Sequence, residues 1–205
     1  TSELLPVRYF HLVVTVPASL REPLRRNQTA LCGALMRAVA EAIMKLAADP
    51  RHLGATPALL TILHTWGRSL IWHPHVHCLI TAGGVAPDGT WREAPNPVFI
   101  VPIHALGKLC RGRFAALARA AAPNVSLPGA ALAPDVRWVV NARSCLAGAD
   151  KVAEYLGRYI HRLPVADANI LSATDTAVTF RYRDTATGAS RQLSLAPMEF
   201  IRRCL

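Results

Sequence analysis

Histidines on two apolar segments are the residues of this chain best suited to do chemistry. His75 and His77 are two residues apart in a segment that is predicted to form an apolar strand, and side chains two apart in a strand lie on one face. A symmetric antiparallel hairpin centred near residues 69–70 brings His64 opposite this pair, with opposed Cβ atoms roughly 4.5–5.5 Å apart. Neutral imidazole is the commonest metal ligand in proteins. The spacing therefore predicts a divalent-metal site formed by His64, His75 and His77.

Two alternatives to this site stay open. A histidine pair separated by one residue is weak evidence for a metal by itself, because many such pairs are ordinary hydrogen-bonded strand residues. The third ligand also has a runner-up in His161. On a continuous helix, however, the side chain of His161 points well away from the tyrosines considered next.

Two tyrosines on a predicted helix over residues 150–160 are the second candidate for chemistry. Tyr155 and Tyr159 are four residues apart, so they share one face at the edge of the apolar stripe. Lys151, Arg158 and Arg162 fall on the flank beside them. Two phenol groups therefore lie between an apolar stripe and a basic ridge, although a tyrosine at such an edge often only buries its ring.

The charge of the chain points to a polyanionic partner. The formal net charge is +10, and 20 of the 23 basic residues are arginine. The planar arginine fork matches phosphate oxygens better than the point charge of lysine does. We therefore expect a nucleic-acid partner. The alternative is that the many arginines reflect the codon usage of a G+C-rich genome.

Several classes of protein are disfavoured by the composition. With 52% apolar and 18% charged residues, the chain is typical of a folded globular protein. It has no apolar run close to the roughly 18 residues of a membrane span, no signal-peptide pattern and no glycine-rich phosphate loop of a nucleotide-binding protein. The five cysteines are scattered without a Cys-x-x-Cys pair, which is typical of reduced thiols in a cytoplasmic protein.

The hydrophobic pattern predicts an α+β fold with a largely antiparallel central sheet and flanking helices. We expect one catalytic domain over residues 1–205. Asn27 is the expected cap of the first long helix, and residues 21–26 are expected to form a basic turn. The predicted strands cover residues 8–17, 59–66, 73–80, 135–143, 169–172, 177–183 and 192–195, and the predicted helices cover 29–48, 103–122, 150–160 and 197–205. A turn-rich loop over residues 81–102 is expected to contain one short extended piece at 98–101.

The motifs together resemble a known family. His75-Val76-His77 resembles the histidine–hydrophobe–histidine signature of the HUH single-strand endonucleases. Residues 63–67, 73–78 and 155–162 are similar to those of the paired-tyrosine rolling-circle transposases of bacterial insertion sequences, and residues 5–11 and 199–203 also fit that family.

This resemblance implies both a fold and a reaction. The histidine pair is expected on a middle strand of an HUH-type sheet, with the tyrosine helix packed beside it. A divalent cation, Mg²⁺ or Mn²⁺, is expected on the histidines, and Tyr155 and Tyr159 are expected to be the nucleophiles. The expected substrate is single-stranded DNA at transposon ends, whose phosphates Arg158, Arg162 and Lys151 would bind. The product would be a 5′-phosphotyrosine, and no nucleotide cofactor is implied.

The sequence departs from the family pattern at both ends. Family members usually carry a cysteine-rich zinc-binding segment before this core and a further basic segment after it, so we expect either an excised catalytic core or a truncated element. Two other functions stay open: a phosphodiesterase in which metal-activated water attacks, and a non-catalytic protein that binds single-stranded DNA. The expected location is the cytoplasm, at the nucleoid, and the sequence leaves the oligomeric state open.

Overall fold

β-Branched and aromatic residues are frequent in the long strands at residues 9–15 and 59–66, and alanine- and leucine-rich stretches form the two longest described helices. The structure is a computed structural model that describes residues 5–67, 70–97, 100–144, 157, 165–184 and 187–204. Short 3₁₀ turns lie at Ala18–Leu20 and Asp167–Asn169. In chain order the strands and helices are β1 (Tyr9–Thr15), α1 (Arg21–Arg26), α2 (Gln28–Ala47), β2 (Leu59–Trp66), β3 (Trp72–Thr81), β4 (Gly83–Val85), β5 (Trp91–Glu93), α3 (Ile103–Ala121), α4 (Gly129–Leu132), β6 (Val139–Ser144), β7 (Ile170–Ala173), β8 (Val178–Arg183), β9 (Ser190–Leu195) and α5 (Pro197–Cys204).

The chain divides into two units. The first contains Thr1–His64 and Pro74–Ala153, and the second contains Thr65–His73 and Glu154–Leu205. The tip of the β2–β3 hairpin therefore belongs to the second unit, while the rest of the hairpin belongs to the first. The single catalytic domain expected over the whole chain stays a prediction.

A four-stranded sheet is the frame of the first unit, with strand order β2-β3-β1-β6. Strand β1 pairs antiparallel with both β3 and β6. The α+β class with antiparallel sheets and flanking helices is thus confirmed, and the strand that carries the histidine pair is a middle strand, as expected.

One face of this sheet packs against α2 and α3. Leu12 is paired with Cys78 and Val14 with Val76, and all four side chains are buried. They join one apolar cluster with helix residues such as Phe114, which is fully buried. Because neighbouring residues in a strand alternate between faces, this packing fixes which residues lie on the opposite face.

The start of α2 differs from the prediction. Residues 21–26 form helix α1 rather than a turn. Asn27 does lie at the N-cap position of α2, but its side chain makes no capping bond to that helix. Instead its Nδ2 donates to the carbonyl oxygen of Pro23 at 3.0 Å. The backbone N–H of Asn27 donates to the same carbonyl oxygen at 3.2 Å, so both donors of this residue serve the C-terminal end of α1 rather than the start of α2.

The second unit is built around a three-stranded antiparallel sheet of order β7-β8-β9. Phe180 of β8 is fully buried together with Leu70 and Val165. Leu70 has a φ of 53°, a left-handed conformation that is unusual for leucine. Its completely buried side chain supplies the packing that offsets this strain.

An ionic and aromatic cluster surrounds α5 in the second unit. Glu199 accepts hydrogen bonds from Arg202 and Arg203, and Arg203 Nη1 also donates to the carbonyl oxygen of Leu70 at 2.9 Å. Both guanidinium groups lie 5.5 Å from the ring centroid of Trp66, and Trp72 meets the same ring edge-on. These contacts hold the hairpin tip against α5 within the second unit.

Two predicted elements, over residues 150–160 and 98–101, lie only partly within the described residues. Of the helix predicted over residues 150–160, only Gly157 lies within the described residues, and it is helical. The extended segment predicted at 98–101 is wrong where it is described, because Ile100 and Val101 form a buried bend rather than a strand. The pair β4–β5 and the short helix α4 were not predicted. Among the described helices, none has the length and apolarity needed to cross a bilayer.

Candidate metal centre

The face of the four-stranded sheet opposite α2 and α3 carries the histidines. In the β1–β3 register His77 is opposite Val13 and His11 is opposite Leu79. Residues that are directly opposed, and residues two apart, share a face. His11, His75 and His77 therefore lie on one face, which we call the histidine face, and strand β2 at the sheet edge contributes His64.

His64, His75 and His77 come together as the sequence predicted. The ring centroid of His64 lies 4.4 Å from that of His77 and 5.5 Å from that of His75, and the centroids of His75 and His77 are 5.0 Å apart. One ring nitrogen from each of the three residues can be chosen so that all three nitrogens lie within 4.8 Å of one another.

This geometry fits a metal ion with a small adjustment. At metal–nitrogen distances of about 2.1 Å, two ligand nitrogens are at most roughly 4.2 Å apart. A change of under about one ångström in ring position thus brings the three nitrogens into range. His64, His75 and His77 could therefore hold a metal ion, and their assignment as ligands stays a prediction.

A fourth histidine on this face was missed by the sequence reasoning. The rings of His11 and His77 are stacked, with centroids 5.1 Å apart and an interplanar angle of 8°. His11 Nε2 lies 2.9 Å from His77 Nδ1, so one of the two nitrogens donates a hydrogen bond to the other. The signal that could have found His11 is a lone imidazole in the otherwise apolar strand β1.

The hydrogen bond distinguishes the two tautomers of His77. If Nδ1 of His77 donates to His11, then Nε2 of His77 keeps a lone pair and can bind a metal. In the other arrangement Nε2 of His77 carries the proton and cannot. Metal binding through Nε2 therefore requires His11 to be the acceptor, which is the usual role of the partner behind a metal-bound histidine.

The histidine face favours neutral imidazole. Burial lowers the pKa of His77 to about 3, with smaller contributions from His64, His75 and His11. Burial also lowers the pKa of His11 to about 4, followed by the charge of Arg143 and by His64. Both rings are thus neutral near pH 7, and neutral imidazole is the form that binds a metal.

Cys78 follows His77 in the sequence but is not part of this centre. It lies on the helix-facing side of β3, where its side chain is completely buried. Burial, followed by the neighbouring Cys110, raises the pKa of its thiol well above the usual range. The ligand that metals prefer is the thiolate, so this thiol is unsuited to the role.

The remaining predicted site residues lie outside the described residues. These are the two tyrosines, the three basic residues on their flank and the alternative third ligand: Tyr155, Tyr159, Lys151, Arg158, Arg162 and His161. Their roles stay predictions. On the histidine face itself, β6 contributes the exposed side chains Asn141 and Arg143, which are opposite Val13 and His11 in register.

Comparison with known proteins gives a consistent set of relatives. A family model named Y2_Tnp and described as "Putative transposase" matches residues 59–205. A protein of Sinorhizobium fredii named "Putative transposase y4qJ" is 37% identical to the whole of this chain, which covers 56% of that protein. The transposase for insertion sequence element IS801 of Pseudomonas savastanoi pv. phaseolicola is 27% identical over 94% of this chain, which covers 49% of it.

The chain thus spans about half the length of the curated relatives it matches. Among solved structures, the conjugative relaxase TrwC in a metal-bound complex with oriT DNA is similar at a TM-score of 0.43 and 19% identity. That match covers 55% of this chain and 43% of the relaxase chain. The metal-free complex of the same relaxase gives a TM-score of 0.41 at 19% identity, over 54% of this chain and 42% of that one.

Proposed function

Because the chain belongs to the Y2_Tnp transposase family and gathers three histidines on one sheet face, we propose that it is the catalytic part of a rolling-circle DNA transposase. Its proposed reaction is to nick and rejoin single-stranded DNA at transposon ends. The observation that carries the proposal is the histidine triad of His64, His75 and His77, whose ring nitrogens come within 4.8 Å of one another. A cytoplasmic location at the nucleoid follows from this role.

The triad would hold one divalent cation, Mg²⁺ or Mn²⁺. A cation bound there supplies positive charge that stabilises the negative charge developing on the scissile phosphate. The donor set consists of imidazole nitrogens, which transition metals accept more readily than Mg²⁺ does. We therefore expect Mn²⁺ to bind more tightly than Mg²⁺.

Tyr155 and Tyr159 are the proposed nucleophiles. The phenol oxygen gives up its proton and forms a bond to phosphorus, the bond from phosphorus to the 3′ oxygen breaks, and that oxygen takes up a proton to become a 3′-hydroxyl. One phosphoester replaces another, so no nucleotide energy source is needed. On a helix the two residues are about 6 Å apart along the axis, which would let each act on a different strand or at a different step.

The basic flank of the same predicted helix would bind the DNA. Lys151, Arg158 and Arg162 are the proposed phosphate contacts near the scissile bond. The net charge of +10 supports a nucleic-acid partner, because backbone phosphates account for most of the affinity of such proteins.

A covalent-trapping experiment tests the proposal. The protein is incubated with Mn²⁺ and a single-stranded oligonucleotide that carries an element end, labelled on the 3′ side of the expected nick. We expect a labelled protein band that survives denaturation. Tyr155→Phe and Tyr159→Phe should each leave adduct on the remaining tyrosine, and the double variant should form none.

Other outcomes would assign a different function. Metal-dependent cleavage that leaves no adduct would mean that water attacks and that the protein is a phosphodiesterase. Binding that is unchanged in chelator, with no nick under Mn²⁺ or Mg²⁺, would mean that this chain binds DNA without cutting it. Loss of all adduct in Tyr155→Phe together with full activity in Tyr159→Phe would contradict the paired nucleophiles alone.

A further inference from the structure

The three-stranded sheet of the second unit has two unlike faces. In the β8–β9 register Val178 is opposite Leu195 and Phe180 is opposite Leu193, and these apolar pairs lie on the side that is packed in the apolar cluster. The residues between them must point to the other side. On β8 and β9 the residues of that side, which we call the polar face, are Thr179, Arg181, Arg183, Ser190, Gln192 and Ser194.

The polar face is open and positively charged. All of its members are exposed except Thr179, which is half-buried and hydrogen-bonded to Ser194 at 2.7 Å. Its six side chains are two guanidinium groups, three hydroxyls and one amide, with no carboxylate and no aromatic ring among them.

The two arginines of the polar face differ from other arginines of the second unit. Arg202 and Arg203 are paired with Glu199, and Arg191 is paired with Asp184. Neither Arg181 nor Arg183 takes part in an ion pair between described residues. Arg183 Nε donates to the carbonyl oxygen of Gly188 at 3.1 Å, and this bond orients its guanidinium without neutralising it.

We propose that the polar face binds the phosphodiester backbone of DNA. Arg181 and Arg183 are two apart on one strand, so their Cα atoms are about 6.6–6.8 Å apart along it. Two cations at that separation can each meet a phosphate of one strand, while the hydroxyls and the amide of Gln192 donate to neighbouring phosphate oxygens. Because the face has no aromatic ring on which a base could stack, the contact is to the backbone and does not depend on sequence.

This inference rests on the proposed DNA partner but not on the proposed cleavage chemistry. The polar face belongs to β8 and β9 of the second unit and includes none of the candidate catalytic residues. The charge pattern favours phosphate over an acidic polypeptide, because hydroxyls and an amide surround both arginines and give regularly spaced donors. An acidic polypeptide remains an outcome of the test.

The test measures how DNA affinity depends on salt. Fluorescence anisotropy is recorded with the full chain and two single-stranded oligonucleotides of unrelated sequence, over a range of NaCl concentrations in EDTA. For single strands the slope of log K against log salt is about 0.7 per phosphate contact, so Arg181→Ala combined with Arg183→Ala should lower its magnitude by roughly 1.4. The loss should be the same for both sequences.

Two control variants sharpen the result. Arg191→Ala removes a cation from the same hairpin but from the other face, where Asp184 already neutralises it, and should leave the slope unchanged. Arg181→Lys combined with Arg183→Lys keeps both charges and should keep the slope of the wild type. Adduct formation at saturating DNA should persist in the double alanine variant.

Three outcomes would overturn the assignment: an unchanged slope in the double alanine variant, an equal change in Arg191→Ala, or binding of a polyglutamate peptide that competes with DNA and is lost in the double variant. If instead the slope falls as expected but the wild-type chain forms no adduct, the polar face stands and the proposed cleavage fails.

Discussion

The same strands form both faces of the four-stranded sheet, but one face carries the histidines and the other packs against the helices. His77 and Cys78 are neighbours on β3, yet His77 lies on the histidine face and Cys78 lies under the helices. Burial acts on both groups in the same way, since it favours the uncharged form of each. It lowers the pKa of the imidazole and raises the pKa of the thiol.

The same physical effect thus has opposite consequences for metal binding. A neutral imidazole is competent as a ligand, whereas a neutral thiol is not. Burial therefore keeps His77 in the protonation state that can bind a metal. It keeps the thiol of Cys78 in the state that cannot, so Cys78 contributes only to packing. This difference between the faces agrees with the geometry, which gathers the ring nitrogens of His64, His75 and His77 on the histidine face.

The largest effect is expected from removing a ligand on the histidine face. His75→Ala or His77→Ala should abolish measurable Mn²⁺ binding and cleavage, a greater loss than the roughly 10–100-fold that follows when only the partner of a ligand is removed. Isothermal titration with Mn²⁺ measures the first effect, and adduct formation measures the second. DNA affinity in EDTA should be retained, because phosphate contacts dominate it.

Cys78→Ala is the matched control for this prediction, since it alters the next residue on the other face. It should leave Mn²⁺ affinity unchanged. A loss of Mn²⁺ binding in Cys78→Ala equal to that in His77→Ala would mean that the two faces do not divide metal binding from packing.

The comparison also explains how much of the site could be predicted from the sequence. Strand alternation and the position of the hairpin placed His64, His75 and His77 together, because those residues are close along the chain and one turn sets their register. His11 was missed because its contact with His77 joins strands 66 residues apart. Periodicity showed that residues 8–17 form a strand but not which strand it would pair with.

The capping residue and the segment before it illustrate a second limit. Asn27 is a good cap by residue type, yet its side chain bonds backward to Pro23 once residues 21–26 become helical. That choice depends on the helix that precedes it, which the basic and proline-containing sequence concealed. Long amphipathic elements such as α2 and α3 were predicted to within a few residues, because a stripe of apolar residues determines them.

A smaller effect, confined to stability, is expected from the helix-facing side of the sheet. Leu12→Ala removes a fully buried side chain and should lower the free energy of unfolding by about 2–5 kcal/mol. Urea unfolding measures this change. Mn²⁺ affinity of the folded protein should stay within about twofold of the wild type, because the side chain of Leu12 packs in the apolar cluster on the face opposite the histidines.

The neighbouring substitution Val13→Ala is the control, because Val13 lies on the histidine face and is only half-buried. Val13→Ala should lower the free energy of unfolding by clearly less than Leu12→Ala does. An equal or greater cost for Val13→Ala would show that the histidine face is packed as tightly as the core, which would contradict the contrast between the two faces.

The smallest of these effects, and the sharpest test of the histidine face, is expected at His11. His11→Ala should weaken Mn²⁺ binding by about 10–100-fold, because it removes the acceptor that would hold His77 in the tautomer with a free Nε2 lone pair. His11→Gln offers a side-chain carbonyl as a replacement acceptor and should recover part of that affinity, whereas His11→Phe fills the space without accepting a hydrogen bond and should not recover it.

Nitrogen NMR of the His77 ring in metal-free protein separates the role of His11 as an acceptor from its role in packing. We expect the proton on Nδ1 in the wild type and a mixture of tautomers in His11→Phe. If His11→Phe binds Mn²⁺ as tightly as the wild type, then the hydrogen bond between His11 and His77 does not affect metal binding. His11 would then contribute only packing, and Mn²⁺ affinity would depend on His64, His75 and His77 alone.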